Sequence, residues 1–271
     1  MVLAVASLLP TAAVDGSGNG KIVFWSQGHL YAIDPASGAD ADLGPGVTPA
    51  WSPDGSQIAF LSGGGVSVMN ADGGGRRVLH ASADDRRPVW SPDGTRLAFV
   101  SGQPAALLVV DVAGGEARTT ATTVLADSPP AWSPDGTRLA YIEGASSDLA
   151  VVGADGSGNR VLSAGPPFSV DAGPAWSPGG SRIAFFRSTG AEVALHVVAP
   201  AGGPVRRLTP NRFDGGETLT PAWSPDGSLI TFTGATLVAF TKVGPHYTRD
   251  VYSPTPRAPS SAASPLSAPA R

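Results

Sequence analysis

Short apolar runs of about six residues recur along most of the chain, each bracketed by polar and glycine-rich breaks. Six of them share one pattern: KIVFWS (21–26), QIAFLS (57–62), RLAFVS (96–101), RLAYIE (138–143), RIAFFR (182–187) and LITFTG (229–234). A second run follows each: HLYAID (29–34), GVSVMN (65–70), ALLVVD (106–111), DLAVVG (148–153), VALHVV (193–198) and TLVAFT (236–241). Their β-branched and aromatic content, between turn signals, predicts strands. Glycine-rich turns come next, such as ADGGG (71–75) and ADGSGN (154–159). A further run then closes several units: RRVLH (76–80), NRVLS (159–163) and VRRLT (205–209).

Five of the six units are preceded by one heptad of letters. PAWSPDG stands at 49–55, 130–136 and 221–227, PVWSPDG at 88–94 and PAWSPGG at 174–180. The tryptophans, at 51, 90, 132, 176 and 223, are 39, 42, 44 and 47 residues apart. A period near forty belongs to four-stranded propeller blades. The expected fold is therefore all-β, a six-bladed β-propeller of four-stranded antiparallel blades with strands A to D.

SPDG reads as a tight A–B turn, with proline pre-set at its second position and glycine free to take positive φ at its fourth. A tryptophan repeated at one position fits packing between blades better than chemistry, which needs its residues once. The aspartates at 54, 93, 135 and 226 are explained by the same turn, and Gly179 replaces the fifth, as a turn tolerates.

The motif P-x-W-S-P-D-G-x-x-I/L-A-F, followed by an apolar strand and DG…RxL, resembles the TolB-type, WD-like β-propeller repeat over about 21–242. The resemblance implies an exported bacterial propeller that binds other proteins. It covers the propeller part only, because the α/β domain preceding the propeller in TolB has no counterpart in the twenty residues before the first unit.

Composition narrows the function classes. Thirty-five glycines and 26 prolines favour a turn-rich β protein. A net charge of −4 gives no basic field for nucleic acid or anionic lipid. The absence of cysteine excludes disulfides, thiolate metal sites and a cysteine nucleophile. Residues 1–13, MVLAVASLLPTAA, resemble the apolar core and cleavage site of a secretory signal without its basic leader, and are too short to span a bilayer. This implies a periplasmic or secreted protein whose propeller occupies 14–252. Residues 253–271, dominated by Pro, Ala and Ser, read as a disordered tail.

The first unit begins with its B strand, so its A strand must come from elsewhere. TAAVD (11–15) and DVYSP (250–254) are the candidates; VYSP echoes AWSP, and closure by the C-terminal segment is expected.

The A–B and C–D turns share one face and are short and repetitive. The D–A connections on the opposite face vary: ASADDRRP (81–88), AGPPFSVDAGP (164–174) and TPNRFDGGETLTP (209–221). Variable loops on a rigid scaffold are where binding resides. The candidate partner-binding residues are Asp85, Arg86, Arg87, Phe168, Asp171, Arg212, Phe213, Asp214 and Glu217, with ordinary solvated loop charge as the bland alternative.

Other signals are weaker. Arg76–Arg77 and Arg206–Arg207 on D strands read as charge that blocks edge pairing. DGSGNGKI (15–22) opens like a calcium loop, but Ser26 stands where a bidentate glutamate belongs. The four histidines lack metal-ligand spacing. No G-x-S-x-G elbow and no strand–glycine loop–helix nucleotide motif is present. The expectation is a monomeric, non-enzymatic propeller that binds a protein or cell-envelope component, with no cofactor, metal or catalytic residue, no nucleic acid and no membrane span. The alternative is a propeller enzyme of lyase, lactonase or glycosidase type, working at the channel mouth with Asp85, Asp171, Asp214 and Glu217 as its carboxylates.

Overall fold

The computed structural model describes residues 20–190, 192–209, 220–234 and 237–242. Every regular element among them is a β-strand, and the strands form six antiparallel sheets in chain order. The first holds β1 (Ile22–Ser26), β2 (His29–Ile33) and β3 (Asp40–Pro45). The second holds β4 (Val47–Trp51), β5 (Gln57–Ser62), β6 (Gly65–Asn70) and β7 (Arg77–Ala81). The third runs β8 (Arg86–Trp90), β9 (Arg96–Ser101), β10 (Ala106–Asp111) and β11 (Arg118–Thr122). The fourth runs β12 (Ala131–Trp132), β13 (Arg138–Ile142), β14 (Leu149–Gly153) and β15 (Arg160–Val161). The fifth runs β16 (Val170–Trp176), β17 (Ile183–Ser188), β18 (Val193–Val198) and β19 (Arg206–Arg207). The sixth has β20 (Ala222–Trp223), β21 (Leu229–Gly234) and β22 (Leu237–Lys242). Each strand pairs with its sequence neighbours, as in a meander, and the first strands of successive sheets lie side by side from β4 to β20.

Six sheets for six repeats is the arrangement the sequence predicts. Both candidates for the missing inner strand of the first sheet, 11–15 and 250–254, lie outside the described residues, as do 1–13 and 253–271.

The core lies between the sheets rather than within any one of them. Alternate residues of a strand point to opposite faces, and here both faces are covered. That makes the second strands continuously apolar instead of alternating. Leu97 and Phe99 pack toward the second sheet, where they join Ala59, Val66 and Val68. Ala98 and Val100 between them pack toward the fourth, with Leu139 and Tyr141. The same exchange sets Ala140 against Ile183 and Phe185, and Ala184 against Ile230 and Phe232. The repeated I/L-A-F/Y triplet is thus a packing code. The two large side chains of one sheet lodge over the small residue of the sheet before it, and a larger side chain at that alanine would collide with both.

Two outer strands were not legible in the sequence. β3 and β11 carry mostly exposed side chains at the rim and so have no apolar pattern. The inner strands also start earlier than expected. Arg86 and Arg87 belong to β8 and Asp171 to β16, whereas the sequence reading assigned them to D–A loops.

Candidate functional site

The short-turn face is built by one device used five times. The glycine N–H of each turn donates to the serine carbonyl at 2.8–2.9 Å, with φ between 66° and 71°. The serine hydroxyl donates to the aspartate: Ser52 to Asp54 at 2.6 Å, and Ser91 to Asp93, Ser133 to Asp135 and Ser224 to Asp226 at 2.5 Å. The same carboxylate accepts the backbone N–H two residues on, at 3.0–3.1 Å. The serine hydroxyl in turn accepts an N–H at the start of the following strand, from Gln57, Arg96, Arg138 and Leu229, and from Arg182 just before β17. The serine hydroxyl bond, with the backbone N–H, holds Asp93, Asp135 and Asp226 down to about 2 and lowers Asp54. These carboxylates are occupied by their own turns.

The tryptophans join sheet to sheet. The Trp90 indole N–H donates to the Ala50 carbonyl, Trp132 to Val89, Trp176 to Ala131 and Trp223 to Ala175, at 2.9–3.2 Å. Trp51, Trp132 and Trp176 are buried, while Trp90 and Trp223 are half-buried. Arg96 stacks on Trp132 and Arg138 on Trp176, each with its guanidinium carbon 4.9 Å from the ring centre. Arg76 lies over Phe60 and donates to the carbonyls of Leu43 and Pro45 in β3, so it ties two sheets as well as charging an edge. A cavity of about 740 Å³ on this face is lined by Arg96, Arg138 and Arg160, all three engaged with neighbouring main chain or rings.

The opposite face, carrying the B–C and D–A connections, has a different character. The six non-glycine residues with positive φ among the described residues are Gln27, Thr48, Arg87, Thr123, Ser147 and Phe168. All six lie in B–C turns, in D–A segments or at the entry of an inner strand on this side. Left-handed backbone costs a non-glycine residue energy, most of all a β-branched one, and such outliers gather at functional surfaces. Thr48, Arg87 and Gly173 share one cause. Each stands three residues before a motif tryptophan and just before a proline, at a bulge that shifts the register of the inner strand. Proline has no N–H for the ladder, and the bulge accommodates it.

The expected site residues fall into three groups. Asp85 and Asp171, both five residues before a tryptophan, are buried ties. Asp85 accepts the Val66 N–H at 3.1 Å, and its oxygens lie 2.9 Å from His80 Nδ1. Asp171 receives Arg187 Nε at 2.7 Å and Nη2 at 2.9 Å, the Ser163 hydroxyl at 2.5 Å and the Leu149 N–H at 3.0 Å. Arg86, Arg87 and Phe168 form the second group. The Arg86 side chain is 43% exposed and 3.6 Å from Asp127, which the sequence reading did not single out. Phe168 is 98% exposed at φ 65°, a free aromatic held above the surface by a turn in which the Ser169 N–H meets the Pro166 carbonyl. The third group, Arg212, Phe213, Asp214 and Glu217, lies outside the described residues.

A cleft of about 320 Å³ opens on the same face, lined by Gly28, Gly46, Gly63 and Gly64 with Pro45 and Ala83. Among the described residues no group of three or more His, Asp or Glu is placed to hold a metal ion. No helix there is long and apolar enough to cross a membrane.

Six sequential antiparallel sheets, four of them four-stranded among the described residues and joined through inner-strand tryptophans, define a β-propeller. A family model described as the TolB beta propeller domain matches residues 39–167 and again 106–236, and the chain belongs to that family. No curated protein matches it in sequence. Solved structures share the fold. TolB from Acinetobacter baumannii is 20% identical with a TM-score of 0.57, covering 79% of this chain and 56% of its own. An oligogalacturonate lyase from Vibrio parahaemolyticus is 14% identical at 0.62, covering 82% and 71%. A puromycin-hydrolysing peptidase from Mycobacterium tuberculosis is 16% identical at 0.65, covering 89% of this chain and 45% of its own.

Proposed function

We propose that this chain is a non-catalytic, extracytoplasmic binding propeller that captures a protein or cell-envelope ligand on its B–C/D–A face. The observation that carries the reading is Phe168, an aromatic side chain almost wholly in solvent on a left-handed backbone. Aromatic and arginine side chains are the residues enriched among interface anchors. Arg86 and Arg87 supply charge on the same face, and Arg212, Phe213, Asp214 and Glu217 belong to the same proposed surface through their D–A connection. The TolB family and the signal-like residues 1–13 support a location outside the cytoplasm.

The rival reading, a propeller enzyme of lyase, lactonase or glycosidase type, draws on the fold likeness to enzymes and needs free carboxylates at the channel mouth. Two of its four, Asp85 and Asp171, are already committed to sheet-to-sheet ties. A photo-reactive side chain at position 168 should label a partner in envelope extract, whereas one at Thr137 on the opposite face should not. Changing Arg86, Arg87, Arg212 and Glu217 together should abolish the capture with stability nearly unchanged. Equal labelling from both faces would sink the assignment, and stoichiometric bound Ca²⁺ or Zn²⁺ in the purified protein would favour the enzyme.

A further inference from the structure

Four of the five motif tryptophans follow one rule. Each donates its indole N–H to the carbonyl of the residue just before the tryptophan of the preceding sheet. Trp51 is 7% exposed, and its indole nitrogen is buried without a hydrogen-bond partner. A buried donor left unpaired is costly, and native structures avoid it.

The missing acceptor has a defined address, the innermost strand of the first sheet. β1 is the counterpart of β5, β9, β13, β17 and β21, which are second strands, and among the described residues it pairs with β2 alone. Ile22 on β1 is partly exposed, while its counterparts Ile58, Leu97, Leu139, Ile183 and Ile230 are all 0% exposed. The turns add a second ladder. A Cβ built on the glycine of the turns at 94, 136, 180 and 227 would lie 3.6–3.8 Å from the motif proline of the sheet before it, as with Gly94 and Pro53 or Gly136 and Pro92.

The indole ladder asks only for an inner-strand carbonyl at that level, while the proline ladder asks for the serine–proline pair that follows the aromatic in every motif. Residues 251–254 read VYSP, whereas TAAVD at 11–15 has neither the aromatic nor the Ser-Pro. We propose that residues 250–254 form the inner strand of the first sheet, antiparallel to β1, with the Val251 carbonyl accepting the Trp51 indole N–H and Pro254 beside Gly55. The register follows from the other sheets, where Trp51 faces Ile58, Trp90 faces Leu97 and Trp132 faces Leu139. Tyr252 then faces Ile22 and Val251 faces Val23. The seven residues between Lys242 and Asp250 reach at most about 25 Å, enough for one return pass from β22. The ring is closed by the two distant parts of one chain.

The chain has no cysteine, so a single engineered pair reads the register directly. The Ser52 N–H bonds to the Gln57 carbonyl, which makes the adjacent Trp51–Ile58 type of pair a non-hydrogen-bonded one. Its Cα atoms lie about 4.5 Å apart, within disulfide range. Oxidation of the full chain carrying Ile22→Cys and Tyr252→Cys should give a disulfide within one molecule, seen as a linked peptide by mass spectrometry. Free thiols, or a disulfide-linked dimer that assigns the strand to a second copy, would overturn the proposal. A measurement on the otherwise native chain stands beside it: the Trp51 indole proton should exchange with solvent as slowly as those of Trp132 and Trp176. Tyr252→Asp should speed Trp51 exchange at least tenfold and leave Trp176 unchanged; unaltered Trp51 exchange would return the role to another segment.

Discussion

The Trp132 indole N–H donates to the Val89 carbonyl, 3.2 Å away across the boundary between the third and fourth sheets. The ring also packs among Val100, Leu107, Leu139 and Tyr141 and carries the Arg96 guanidinium on one face. One side chain therefore supplies apolar area, a hydrogen bond and a cation–π contact at one interface. Trp132→Ala should cost about 3–5 kcal/mol in equilibrium denaturation, the range for truncating a large buried aromatic. A loss under about 1 kcal/mol would mean that the ring is free for ligand stacking.

Asp171 and Arg187 form a buried ion pair, 0% and 9% exposed at their side chains. Breaking such a pair strands a charge, so Asp171→Ala should destabilise by about 3–5 kcal/mol. Replacing both partners by apolar residues should recover much of that loss. Thermal melts of the two single variants and the double variant measure the coupling. A ligand-binding aspartate would instead lose capture at unchanged stability.

Phe168 makes the opposite prediction. Glycine removes the cost of the left-handed backbone and adds its own entropy cost on folding. Phe168→Gly should therefore leave stability within about 1 kcal/mol of the parent. Partner capture should fall sharply in the same variant. Undiminished capture, measured by pull-down at matched concentration, would remove Phe168 from the binding surface.

The turn aspartates set the acid limit. Asp93, Asp135 and Asp226 have folded values of about 2 against an ordinary 3.8. Their contribution is complete above about 3.8 and is lost as pH falls through about 2, because the unfolded chain binds protons first. Melting temperature should drop across that window. Replacing Asp135 by Asn should flatten the drop and lower the plateau above it, and an unchanged pH profile in the variant would refute the assignment.

Much of the fold was legible because its core code is local. I/L-A-F/Y, Trp and SPDG each report a contact that recurs at the same place in every unit. The site was harder to read. Asp85 follows Asp84 in the chain, yet it is tied to the Val66 N–H nineteen residues upstream, and Asp171 to the Leu149 N–H twenty-two residues upstream. No local signal separates such a tie from a solvated loop carboxylate. Pro88 and Pro174 misled in the other direction, reading as loop breakers although the bulges carry them inside β8 and β16. Those same prolines, each behind a left-handed residue, were the available signal for the bulged entry to the inner strands.

Because each indole rung ends on a main-chain carbonyl, it asks nothing of the neighbour's side-chain identity. Any unit carrying the tryptophan can dock on any other that presents an extended inner strand and the small central residue of the triplet. Neighbouring units are in this respect interchangeable parts. Duplication or loss of one would change the circumference of the assembly without requiring compensating changes at the seams, so the number of units is free to vary while the joint between them stays the same.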